Sequence, residues 1–301
     1  MSRPGVQANM VCRWVTSAAM GCRLPGLCDE HAQHFPQLAH DHPCRDTRRS
    51  FGHLWHGVSR GCHFTGTEFS QKISQATRVF GEVAYRPNQP IQLNAYDVLT
   101  GFITRSPTSV LALNKGIGAI PVGGAFDAYD RFGVVTGSLG TDMVFPALLG
   151  AHRVVLLAEL GFSQVNGLPD TSVLRYGRSL PYNGAAYAGG APCADAVSGK
   201  TCTSDGYISA RAWGWKMRVT ATYPQALWGI TLTPSILLAK DVQGYSYDGA
   251  FSEGRSLIRP AVRAEIDKIY FAEIQYNRFS GGRYNLLADR DFVSVMAGVR
   301  F

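Results

Sequence analysis

His31, His34, His40, His42 and Cys44 crowd one stretch of this 301-residue chain, and neutral imidazole and thiolate are good zinc ligands. Their spacings fit no finger or ribbon, with no paired CxxC and no second half-site, so no metal site is expected. The loop SGGRYNLLADRD offers Asp289 and Asp291 as calcium ligands. It lacks the oxygen-rich repeat of a loop site and reads instead as a rigid turn anchoring the strand after it. One His lies beyond residue 63, His152 beside Arg153; at an expected strand start it reads as an interfacial polar residue rather than a general base. No hydrolase elbow, phosphate loop or triad is visible, so the sequence argues against an enzyme and implies no cofactor.

The formal net charge is +7, yet the basic residues are spread along the chain rather than gathered into blocks, so nucleic acid is not an expected partner. No apolar run approaches the roughly 18 residues of a transmembrane helix. Any membrane role must therefore use strands.

Two residue types are unevenly distributed. Of eight His, seven lie at or before His63; of seven Cys, five lie at or before Cys62; the first Lys is Lys72. Residues 1–63 show no sustained helical or strand period, and read as an atypical segment rather than a domain. A GC-rich coding region read in a shifted frame, or from a start placed too far upstream, gives such a mixture. Arg3 and Arg13 precede only short mixed stretches, so no signal peptide is expected in the chain as written. Residues 64–301 carry 22 basic against 18 acidic residues.

From Phe64 onward the period is two, which sends alternate side chains to opposite faces of a sheet. Val293, Val295, Ala297, Val299 and Phe301 form one face of the last segment. Tyr270 to Tyr276, Ile258 to Ile266, Trp228 to Leu238, Trp213 to Tyr223, Val154 to Phe162 and Val79 to Tyr85 repeat the pattern, with charges confined to the second face. Runs near ten residues ending in Trp or Tyr suit lipid-facing barrel strands better than a soluble sandwich. Pro234 and Pro260 each remove a ladder donor, which predicts a bulge or local break at each.

Short connections are expected near Ser74 and Gln75, from Phe145 to Gly150, from Pro224 to Leu227, and at Asp267 and Lys268. Long ones are expected from Arg86 to Ala128, Asn166 to Gly206, Val242 to Ser256, and Ser280 to Arg290. They alternate strictly, which puts every long loop at one end, as in outer-membrane barrels. With a first strand at about Thr65 to Ile73 the count is roughly nine. Single-chain bacterial barrels have even numbers, so the set predicts an incomplete barrel whose missing strands precede Phe64.

Segments YRPNQPIQLNAYDVL, GLPDTSVLRYG, DGYISARAWGW, TPSILLAKDVQGYS and RFSGGRYNLLADRDFVSV, in that order, resemble the C-terminal part of the domain of unknown function 1302 family of proteobacterial outer-membrane proteins. The resemblance covers roughly Phe64 to Phe301. It implies a cell outer-membrane location in a Gram-negative envelope, a barrel handling hydrophobic compounds, and envelope lipoproteins among the partners. No activity is carried over with it.

The expected architecture is an all-β, antiparallel transmembrane β-barrel portion with long external loops. Outer-membrane lipids and the barrel assembly machinery are its expected partners, the latter reading the Val293 to Phe301 face as a C-terminal assembly signal. The expected function is transport or passage of small molecules, hydrophobic ones included, without covalent chemistry. The rival reading is a scaffolding envelope protein with a plugged lumen. Lumen-facing candidates are Glu82, Arg153, Glu159, Lys216, Arg218, Arg259, Arg263, Glu265 and Glu273. Such mixed charges either set a transverse field across a pore or form a salt-bridge network that plugs it. Cys193 and Cys202, in a long Gly/Ala-rich external loop, are expected to pair, with two independent thiols as the alternative. Ile91 to Ile103 has helix-compatible spacing at Leu93, Val98, Leu99 and Phe102; it either folds inward as a constriction or lid, or packs on the barrel rim.

Overall fold

The computed structural model describes residues 53–59, 62–105, 107, 109–121, 124–178, 182, 200 and 203–300. The His31 to Cys44 cluster, the Cys193 and Cys202 pair, and Phe301 lie outside the described residues. Ten strands run in order through the described chain: β1 (His53–Ser59), β2 (Cys62–Lys72), β3 (Thr77–Gln92), β4 (Tyr129–Pro146), β5 (Arg153–Asn166), β6 (Arg211–Leu227), β7 (Ile230–Gln243), β8 (Ser256–Ile266), β9 (Tyr270–Ser280) and β10 (Phe292–Val299). They form one antiparallel sheet in which each strand pairs with its neighbours in sequence. The sheet is open, with β1 and β10 at its two edges. The nine strands expected from the sequence are β2 to β10. One more, β1, precedes Phe64, so the described total is even.

Cross-strand register keeps the two faces separate. Leu160 stands opposite Trp215, Val219 opposite Ile236, and Val262 opposite Ile274, which in turn faces Val295. A slip of one residue would exchange the faces, so the apolar rows fix the pairing. The two prolines interrupt the ladder on one side only. Pro234 stays paired with Val262 of β8, while pairing to β6 skips from Ser235 to Leu232. Pro260 stays paired with Ile236 of β7, while pairing to β9 skips from Ile258 to Ala261. The predicted breaks occur, and neither shifts the register.

Glycines admit large rings into neighbouring strands. A Cβ on Gly140 would lie 2.5 Å from the Phe80 ring, and one on Gly298 would lie 2.6 Å from the Phe271 ring. Both pairs sit on the charged face. Each strand thus stays flat enough to receive an aromatic from its neighbour.

The short connections lie where expected except one. β6 continues through Pro224 to Leu227 with a register shift, and the turn is Trp228 and Gly229, both with positive φ (49° and 79°). That is the two-residue hairpin geometry whose twist suits flanking strands. Trp228, expected to open a strand, is instead a turn residue and 88% exposed. The long connections β3–β4, β5–β6, β7–β8 and β9–β10 share one end of the sheet. The tight β1–β2 connection falls at that same end, outside the alternation that holds from β2 onward.

The β3–β4 connection folds into two helices, α1 (Ala95–Thr104) and α2 (Val110–Lys115). Asn94 caps α1 by accepting from the Asp97 N–H, and Ser109 caps α2 by accepting from the Ala112 N–H. These caps satisfy backbone donors that have no partner inside the helix.

Candidate functional site

Exposure along the strands is inverted relative to a soluble protein. The Glu159 and Lys216 side chains are 18% and 22% exposed, whereas their chain neighbours Leu160 and Trp215 are 44% and 39% exposed. In β9 the Glu273 side chain is 25% exposed and Ile274 is 53% exposed. Flat sheets shield neither face selectively, so the charged face is the concave one. On the convex face the only charges among the described strand residues are Arg131, Arg211, Lys240 and Arg278, all at the long-loop end. Trp215 stands level with Lys240, Tyr85 and Tyr276 lie below Arg131 and Arg278, and at the short-turn end lie Tyr223 and Tyr270. From Trp215 to Tyr223 a strand covers about 26 Å at 3.3 Å per residue.

Eight of the nine predicted charges share the concave wall, with Glu265 next to the end of β8 and the other seven further inside their strands. Lys216 pairs with Glu159 at 2.8 Å across β5 and β6. Arg263 pairs with Glu265 at 3.0 Å and Glu273 at 3.5 Å, and Arg300 joins Glu265 at 3.0 Å. Phe271 lies within this group, its ring centroid 4.2 Å from the Arg263 guanidinium. Glu82 lies near Glu159, Glu68 and Lys216. Arg218 and Arg259 flank Leu237. Arg153 keeps the same alternation but stands exposed at the start of β5. Arg78–Asp142 and Asp241–Arg255 also pair here and were not among the predicted charges; Arg78 shares the parity of Glu82, whereas Arg255 lies in the β7–β8 loop, where parity gives no signal.

At the long-loop end a roof covers the concave face. Its core is Ile91, Leu93, Leu111, Ile117, Val134, Val165, Leu174 and Tyr176. Ile91, Val134 and Val165 follow the alternation of the charged face, so the insertion folds inward. Leu93, Val98 and Phe102 join this core, while Leu99 is exposed. Arg175 clamps Asp97 of α1 through Nε at 2.7 Å and Nη2 at 2.9 Å. Both side chains are almost fully buried. Asp130 receives the Tyr176 hydroxyl at 2.7 Å and the Lys115 ammonium at 2.5 Å. Burial, with the Asp130 carboxylate beside it, holds the Tyr176 phenol well above its ordinary range.

The β5–β6, β7–β8 and β9–β10 loops meet beside this roof. The Arg178 guanidinium lies between the Tyr207 and Tyr284 rings, 4.7 and 4.6 Å from their centroids, and donates to Thr203 Oγ1 at 2.9 Å. Burial pushes the Tyr207 phenol up; burial and then Glu253 push Tyr245 up to about 12. A cleft of about 260 Å³ opens here, bordered by Arg178, Tyr245, Phe251, Arg255, Tyr284 and Leu287. In the β9–β10 loop, Asp291 accepts from Tyr276 Oη at 2.7 Å and the Phe279 N–H at 2.8 Å. These bonds hold its carboxyl below the ordinary range and make the loop a strand anchor. No cluster of three metal-ligating side chains occurs among the described residues. Val293, Val295, Ala297 and Val299 line one face of β10, the edge strand.

A protein-family model described as Protein of unknown function (DUF1302) matches residues 58–301. The chain belongs to the DUF1302 family. The match begins within β1 and takes in every later strand of this DUF1302 sheet, together with the roof and the cleft. No curated protein and no solved structure matches the chain.

Proposed function

We propose that this DUF1302 chain is an outer-membrane β-sheet protein, embedded by its apolar convex face, that passes small molecules along its charged concave face without covalent chemistry. The observation that carries the reading is the inverted exposure: Ile274 outward and Glu273 inward on adjacent residues. Lipid-facing barrels combine an apolar band with aromatic ends and a polar interior. Outer-membrane lipids are the first partners on this reading. The barrel assembly machinery would read β10, and hydrophobic small molecules and envelope lipoproteins complete the set.

A second reading, a scaffold with a closed lumen, draws on the inward roof. Planar-bilayer conductance and liposome uptake of a neutral solute separate the two. Passage predicts both signals for the purified chain, larger when the Asp97 to Arg175 clamp is removed. Silence in wild type and clamp variants alike would leave only the scaffold.

A further inference from the structure

On the concave wall one row runs Leu157, Arg218, Leu237, Arg259 across β5 to β8. Asn277 of β9 continues it, accepting the Arg259 Nε–H at 2.5 Å through Oδ1. Strand spacing places the two arginine Cα atoms about 10 Å apart, with Leu237 between them. Two guanidiniums at that separation can converge on one small anion above the leucine.

Neither arginine takes part in an ion pair among the described residues. The nearby acids are engaged elsewhere: Glu159 with Lys216, Glu265 and Glu273 with Arg263, and Asp241 with Arg255. Arg218 is close enough to act on Arg259 electrostatically, so two like charges lie together with no ion-pair partner among the described residues. Asn277 is fully buried, and its Nδ2 donor has no partner among the described residues. Around the row the same face presents Val155, Ala239, Leu257 and Ala261 together with Thr220, Ser235, Gln275 and the Glu159–Lys216 pair. Leu157, Leu237 and Leu257 thus border a doubly positive centre with apolar surface, while the Glu159–Lys216 pair beside it is already neutralised.

We infer that Arg218, Arg259 and Asn277 form a binding site for an amphipathic carboxylate, its head between the guanidiniums and its apolar body along the leucines. Planar guanidinium groups match a carboxylate in two-point geometry. The site rests on the passage reading above, for which it names the substrate class.

Calorimetric titration of the full chain in a neutral detergent tests it, with octanoate, octanol and inorganic phosphate as probes. Octanoate should bind at least tenfold tighter than octanol. Arg218→Gln and Arg259→Gln should each weaken octanoate at least tenfold and leave octanol within twofold; Lys268→Gln, at a short turn, should change neither. Phosphate should compete weakly, because it gains nothing from the leucines. Far-ultraviolet circular dichroism checks strand content, and Arg218→Lys supplies a milder variant should Arg218→Gln fail to fold. Equal octanoate and octanol affinities in wild type, or octanoate affinity unchanged in a folded Arg218→Gln, Arg259→Gln double variant, would overturn the site. Neutral-solute uptake by liposomes is read separately: uptake without octanoate selectivity defeats the site alone, and absent uptake defeats the passage reading.

Discussion

Removing Asp97 takes the bidentate carboxylate away from a buried guanidinium. Asp97→Ala or Arg175→Met should destabilise the roof by about 3–5 kcal/mol, the usual cost of breaking a buried pair from one side. Trypsin cleavage after the exposed Arg105 should then accelerate, while the double change Asp97→Leu with Arg175→Met should cost less than either single one. An unchanged cleavage rate in both single variants would refute the clamp. Tyr245 offers a pH test. Its folded pKa of about 12 lies above the ordinary 10, so its contribution to loop stability is complete below pH 10. That contribution fades as pH rises from 10 through 12. Absorbance titration at the phenolate band should show one delayed ionisation that disappears in Tyr245→Phe. The Asp97–Arg175 clamp was not legible beforehand, because its residues are 78 positions apart; the helix-compatible spacing of Leu93, Val98, Leu99 and Phe102 pointed to α1 alone.

Strands were legible because a two-residue period with one charged face survives any loop length. Glu82, Lys216 and Arg263 declared their side through parity alone. What parity could not give was strand length or the shape of the roof, since β3 to β7 run 14 to 18 residues and continue into loop packing at the long-loop end. Nor could it give Trp228, whose aromatic character suits a strand end and a turn equally. The faces yield a prediction at this scale. Val219→Arg, on the convex face midway between Trp215 and Tyr223, should impair assembly by about 2–4 kcal/mol, and Thr220→Arg, on the concave face, by much less. Refolding yield into lipid vesicles measures both; equal losses would indicate a sheet whose two faces meet the same solvent.

For the whole molecule, the sheet presents an apolar outside and a charged inside, roofed at one end. Trp215 and Trp228 mark the two ends of the convex surface. Lipids brominated along the acyl chain should quench Trp215, 39% exposed, on that surface; a chain lacking Trp215 should lose that component, and absence of any quenching would contradict embedding. The open boundary between β1 and β10 leaves backbone donors and acceptors along two edges, and hydrocarbon tolerates such groups poorly. Measured strand content should therefore be higher in vesicles than in detergent if those edges find partners there.

The ring of Phe271 over Gly298 also bears on inheritance. Among the described residues the Phe271 ring supplies the three atoms nearest to a Cβ added at Gly298, so a change at one position is expected to constrain the other. Gly298→Ala alone should be purged, and a second-site screen should recover Phe271→Leu, a strand away, as its suppressor. At Gly140 the Ala158 carbonyl also lies 2.9 Å from the added carbon, and no change at Phe80 should restore it. Two glycines under similar rings thus differ in how freely lineages can drift, one by paired substitution and the other hardly at all.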